Sequence, residues 1–170
     1  VFRIRNIVGF ALFLVSASFA HADAQVTVDR NEGASANAAF KFKTVPSPLK
    51  NDAGAKATFA IVDGENDPNG SNLRRLNDGR LAEEEDAPTD NFFFAQGTAG
   101  GRLAADLGSA IEVKEVDTYS WHADTRAPQV YKLYAADGSA AGWNAAPKAG
   151  TDPATCGWKL IASVDTRPKS

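Results

Sequence analysis

The chain has 170 residues, with 18 Lys and Arg against 21 Asp and Glu, a formal net charge of −3, one Cys, 14 Gly and 8 Pro. These figures suit one domain and exclude a disulfide-rich mini-protein, a collagen-like repeat and a polybasic nucleic-acid binder. The mild acidity offers no attraction to a phosphate backbone or an anionic membrane, so nucleic acid and lipid are not expected partners.

Residues 1–22, VFRIRNIVGFALFLVSASFAHA, open on Arg3 and Arg5, continue through an apolar stretch and end on Ala20-His21-Ala22, a small-x-small cleavage pattern. This is the build of a secretory signal peptide, with cleavage expected after Ala22 and Ala24 as a second candidate. Ser16 and Ser18 break the apolar run before it reaches the roughly 20 residues a spanning helix needs, so no membrane insertion is expected after cleavage. The expected location is secreted, periplasmic or at the cell surface. Cleavage removes Arg3 and Arg5 but no acid, and it takes eleven of the Leu, Ile, Val and Phe residues. What remains is more acidic and thin in core-forming side chains, which leads us to expect a folded but incomplete domain. Cys156 is the only cysteine. It reads either as an inert, half-buried thiol or as one half of a pair whose other half lies on another chain or beyond the C-terminus.

Residues 23–39 are small and polar and read as a flexible leader, with one short strand possible at 26–28. The domain is expected over 40–170. Phe40, Phe42 and Thr44 alternate with Lys41 and Lys43, the period of a half-buried strand, and Pro46 and Pro48 end it. Further strand-length apolar runs lie at 57–62, 92–95, 102–107, 113–121, 130–136 and 159–164. Asp63-Gly64, Asn69-Gly70, Asp78-Gly79, Gly100-Gly101 and Asp137-Gly138 punctuate them with residues suited to chain reversal. No sustained helical period follows the signal. Many short strands with regular turn signals predict an all-β fold, an antiparallel β-sandwich. Leu103, Ala105 and Leu107 are expected on one face of their strand and Arg102, Ala104 and Asp106 on the other, while 130–136 reads as a central strand. Segments 63–91 and 138–157 read as long loops, either functional or flexible.

Several elements in order carry a family resemblance. Leu76-Asn77-Asp78-Gly79 precedes a polar loop with Asp86 and Asp90. Gly101-Arg102-Leu103-Ala104-Ala105-Asp106-Leu107-Gly108 follows, then the strand after Ile111, then Tyr131-Lys132-Leu133-Tyr134-Ala135-Ala136-Asp137-Gly138, and finally Trp158-Lys159-Leu160-Ile161-Ala162. Over about residues 57–165 this order resembles discoidin-like domains, the coagulation factor 5/8 type C group of the galactose-binding-like jelly rolls. The resemblance implies an eight-stranded jelly roll that binds glycans, or in some members proteins or lipids, without catalysis. It also implies further strands after 158–164, so the sandwich is expected to be truncated at its C-terminus.

Residues 78–90 hold six acids and one base. Calcium takes six to eight oxygens, and Asp78, Glu83, Asp86 and Asp90 are the candidate ligands for a structural Ca2+. The resemblance carries Asp78 over most directly, whereas Arg80 stands where the family often has an acid. A solvated acidic loop is the equal alternative. Glu65, Asp67, Asn69 and Gly70 imitate the opening of an EF-hand loop, but position twelve is Leu76 and no flanking helix is expected, so the segment reads as a turn.

In 119–126, Trp121, His122 and Arg126 are the candidate ligand-binding trio. An aromatic face stacks on the C–H side of a sugar while imidazole and guanidinium donate to its hydroxyls, and the resemblance implies such a trio in rim loops. The alternative packs Trp121 in the core and pairs Arg126 with Asp124 or Asp86. With neither a Gly-x-Ser-x-Gly elbow nor a His-Glu-x-x-His helix, the usual hydrolase and zinc signatures are absent, and no enzyme is expected. The expected function is a secreted, non-catalytic carbohydrate-binding module with a glycan partner. The alternatives are a protein-binding adhesion module of the same fold and an accessory fragment of a secreted glycoside hydrolase or esterase.

Overall fold

The structure is a computed structural model, and it describes residues 24–31, 36–97, 100–121 and 129–167. The signal-peptide reading therefore falls outside the described residues. Among those described, no helix is long and apolar enough to cross a membrane.

The described residues are mostly β and non-helical. Their regular elements are four strands, β1 (Thr58–Asp63), β2 (Arg102–Asp106), β3 (Val130–Ala135) and β4 (Lys159–Asp165), with short 3-10 turns. β1 pairs antiparallel with β2, and β3 pairs antiparallel with β4. β1 is rich in the aromatic and β-branched side chains that suit a pleated surface, in the run Phe59-Ala60-Ile61-Val62. Its register sets Phe59 opposite Ala105 and Ile61 opposite Leu103, and the ladder slips between Ile61 and Asp63. The slip works as a bulge that turns Val62 inward. Val62 is 7% exposed and Ala57 9%, and with Pro147 they are the buried residues among those described.

The loop after β3 packs over this centre. Arg102 Nη1 donates to the Pro147 carbonyl at 2.7 Å, the Lys148 ammonium donates to the Val62 carbonyl, and Pro147 is itself buried. Within the same loop Trp143 and Trp158 stand 6.2 Å apart between ring centres, and Trp158 Nε1 donates to Asn144 O at 2.7 Å. Segment 138–157, read from sequence as a loop, thus serves as the cover of β1.

The observed strands overlap four of the expected ones. Residues 92–95 form only a bridge, Asn66 with Phe94, flanked by backbone bonds Asp67 N to Phe93 O and Ala95 N to Glu65 O. Residues 113–121 form no strand: positions 111–118 are all exposed, and the segment meets its neighbours through side chains. Gln129 Nε2 donates to Thr118 O at 3.3 Å, and the Thr118 and Tyr131 hydroxyls are 3.2 Å apart. Among the described residues β3 pairs with β4 alone, so it is not flanked on both sides. In β2 the half-buried positions are Arg102 and Ala104, while Leu103 is 38% exposed. The arginine side is the better covered within the strand, because the Pro147 carbonyl meets Arg102 there.

The described part of the leader is tied to the domain. Asp29 accepts from the backbone N–H of Lys43, Thr44 and Val45 at 2.7, 2.8 and 3.0 Å and from the Thr44 hydroxyl at 2.7 Å. Arg30 Nη2 reaches Thr166 O at 2.8 Å. Phe40, Phe42 and Tyr119 stack edge to face in sequence, and the Tyr119 hydroxyl donates to Pro46 O at 2.6 Å.

Candidate functional site

The segment Leu73–Leu76 is a 3-10 turn opened by Asn72, whose side-chain oxygen accepts from Arg74 N. Such a cap satisfies an N–H that the short turn cannot satisfy itself. With three residues per turn, successive side chains point about a third of a revolution apart. Adjacent arginines therefore diverge: Arg74 is exposed, whereas Arg75 is half-buried and faces the acidic loop.

Arg75 is the centre of a polar node. Its Nη1 meets Asp78 Oδ2 at 2.7 Å, its Nη2 bonds Asp90 Oδ1, and its Nε donates to Thr89 O at 3.4 Å. The hydrogen bond to Asp78 raises the guanidinium pKa further above its ordinary value, with the charges of Asp90 and Asp78 adding to it. Both carboxylates also serve their own loop, Asp78 Oδ1 accepting from Arg80 N at 2.9 Å and Asp90 Oδ2 from Glu83 N at 3.4 Å. The next residue extends the node, because Asn91 Nδ2 donates to the Trp121 carbonyl at 3.3 Å and to Ala87 O at 3.2 Å. Segments 73–79, 87–91 and 121 are thereby brought together.

Gly79 closes the first of these segments. Its φ is +67°, and a Cβ there would lie 2.7 Å from the Leu49 carbonyl oxygen, so the position admits glycine on two counts. Neighbouring Asn77 spends its amide on Gly54 O and Ala57 O at 3.1 and 3.0 Å, which fixes the motif to the start of β1.

The four acids proposed as calcium ligands are placed as follows. Asp78 and Asp90 converge, but on Arg75. Glu83 and Asp86 are exposed, with Asp86 at φ 60°. Among the described residues no group of three or more acid, His or Cys side chains is arranged to hold a metal ion. The donor set as folded does not make a calcium cage, since an arginine fills the place between its two best carboxylates. The EF-hand-like segment is a turn: Asp67 Oδ1 accepts from Asn69 N at 2.8 Å and Gly70 N donates to Asp67 O.

Of the ligand-binding trio, Trp121 is half-buried and its indole N–H is enclosed with no hydrogen-bond partner among the described residues. His122 and Arg126 lie outside the described residues. Cys156 is half-buried, its thiol 3.4 Å from Pro153 O. Sequence reasoning missed Arg75 and Asn91. The signal for Arg75 was its i,i+3 spacing from Asp78, a separation at which side chains on one turn meet; Asn91 left no comparable mark. No protein-family model matches the chain, and neither does any curated protein or solved structure.

Proposed function

We propose that the chain is a non-catalytic carbohydrate-binding module of an exported protein, built on a discoidin-like β-sandwich, with Trp121, His122 and Arg126 as its sugar-contacting residues. One observation carries the reading. Asp78 of the Leu-Asn-Asp-Gly element, the acidic loop and the segment bearing Trp121 are separated in sequence, yet Arg75 and Asn91 join them at one place. A rim of loops held from below by polar ties is how a β scaffold presents a binding surface. The half-buried indole offers a ring for stacking on a sugar and an N–H without a protein partner among the described residues.

A glycan array probed with the full chain tests this proposal. Hits whose affinity falls on Trp121→Ala support it; an array without hits overturns it. The proposed structural calcium has a stricter requirement, because the ion would have to displace Arg75 from Asp78 and Asp90. A melting temperature that is equal in calcium and in chelator would refute the calcium site without touching the sugar reading.

The second reading is protein binding, favoured by the apolar row Ile111, Val113 and Val116, which are 46%, 52% and 50% exposed. Such a row on one exposed segment suits a partner surface more than a sugar. Replacing Val113 and Val116 by Ser separates the two, since sugar affinity would survive it and protein adhesion would not.

A further inference from the structure

A second feature lies on the other side of the 3-10 turn. Ala57, Thr58, Phe59, Leu73, Arg74 and Asn77 line an open cavity of about 490 Å3, within the roughly 300–1,000 Å3 typical of small-molecule sites. Its walls divide by chemistry. Phe59 and Leu73 are half-buried and apolar, and Ala57 is buried. Thr58, which carries a hydroxyl, is exposed at the start of β1. The Asn77 amide nitrogen is committed to two carbonyls, so its side-chain oxygen is held in place as an acceptor.

Among the described residues, Arg74 is the charged member of the lining. It makes no ion pair among the described residues, in contrast to Arg75, which two carboxylates saturate. A planar guanidinium with free N–H groups beside an apolar wall is a carboxylate receptor, since the fork donates two parallel hydrogen bonds to a flat anion. An aromatic ring, a hydroxyl and a fixed carbonyl acceptor beside it suit a sugar ring bearing that anion.

We infer that this cavity binds a uronic-acid residue of an acidic glycan, with Arg74 on the sugar carboxylate and Phe59 against the ring. The inference rests on the sugar-binding reading and supplies its ligand class, through a site separate from Trp121.

The test is calorimetric titration of the full chain with trigalacturonate and with its carboxyl-reduced counterpart. Trigalacturonate is expected to bind, and carboxyl reduction or Arg74→Ala to weaken it by about threefold to fivefold, the upper weight of an exposed charge pair. Arg74→Lys is expected to recover only part, because a point charge lacks the fork. Arg74 is exposed, so an unchanged melting temperature verifies the variant's fold. Phe59→Leu, which keeps an apolar side chain in the wall, is expected to weaken both ligands alike. Equal affinity of wild type and Arg74→Ala overturns the inference. Binding of neutral sugars alone, lost on Trp121→Ala, also overturns it while leaving the proposed function standing; binding of no sugar at all overturns both.

Discussion

Replacing Arg75 by Met keeps most of the side-chain stem and deletes the guanidinium, leaving Asp78 and Asp90 facing each other without a cation. The magnitude follows from exposure. The side chains of the pair with Asp78 are 23% and 25% exposed, and those of the pair with Asp90 are 23% and 20% exposed. Fully exposed pairs contribute about 0–1 kcal/mol, while removing one partner of a buried pair costs about 3–5 kcal/mol. A node about a quarter exposed, serving two carboxylates, falls between these limits, and we expect Arg75→Met to cost about 2 kcal/mol. Urea denaturation followed by Trp fluorescence measures it, and an unchanged slope shows that the denatured state is not the cause.

A double-mutant cycle with Asp90→Asn then isolates the pair. If Arg75 acts through Asp90, the second substitution costs much less in the Arg75→Met background, with a coupling of about 1 kcal/mol. A loss below about 0.5 kcal/mol in the single variant, or additive losses in the double, would refute the argument that this node joins the loops. Raising the salt concentration is expected to weaken the coupling only partly, because half-buried charges are less screened than exposed ones.

Three further outcomes follow from local geometry. The backbone N–H groups of Thr44 and Val45, with the Thr44 hydroxyl and Lys43 N–H, hold the Asp29 carboxyl well below the ordinary carboxylate range. A depressed pKa contributes stability above the unfolded value, near 3.8, which is lost as pH falls through the folded one; acid, or Asp29→Asn at neutral pH, is expected to increase proteolysis near residues 24–31. Burial, followed by the charges of Asp117, Glu115 and Asp52, pushes the Tyr119 hydroxyl up to about 12. The stability tied to its neutral form is complete below pH 10 and lost as pH rises towards 12, so a late phenolate step is expected by absorbance, and Tyr119→Phe should abolish it. Gly79→Ala is expected to cost about 2–4 kcal/mol in urea titration, because strain at positive φ adds to a clash with Leu49, whereas Gly108→Ala, also at positive φ but in open space, should cost only about 1 kcal/mol.

What the sequence made legible is what backbone chemistry dictates locally. Phe59-Ala60-Ile61-Val62 and Tyr131-Lys132-Leu133-Tyr134 are strands because β-branched and aromatic side chains favour them, and Asp78-Gly79 is a turn because only glycine fits there. Segment 113–121 had similar composition but became no strand: Thr118 gives its carbonyl to the Gln129 side chain and its hydroxyl to Tyr131 instead of the backbone joining a ladder. The node at Arg75 was half legible. Its i,i+3 spacing from Asp78 is local, but Asp90 lies fifteen residues away and Trp121 thirty beyond Asn91, separations for which sequence carries no pairing rule. The same distance problem hid which side of the β1–β2 pair is covered, since its cover comes from Pro147 and Lys148.

Those long-range ties share one character, and it bears on how the fold is held. With only Ala57, Val62 and Pro147 buried among the described residues, area burial has few places to act, while many contacts that join separate segments are polar: Arg30 to Thr166, Asp29 to residues 43–45, Arg75 to Asp78 and Asp90, Arg102 to Pro147, Lys148 to Val62. Four of the five use a cationic side chain, and three of those four aim at backbone carbonyls in strands or loops. A chain so held should respond to charge more than to volume. Arg102→Met, which deletes a single carbonyl contact while keeping its stem, is therefore expected to destabilise the protein at least as much as Leu103→Ala, although leucine truncation is ordinarily the costlier change in a packed interior. Leu103 at 38% exposure has little cavity to leave. Urea titration of the two variants decides it, and a Leu103→Ala loss of several kcal/mol would show that the apolar face of β2 carries a core after all.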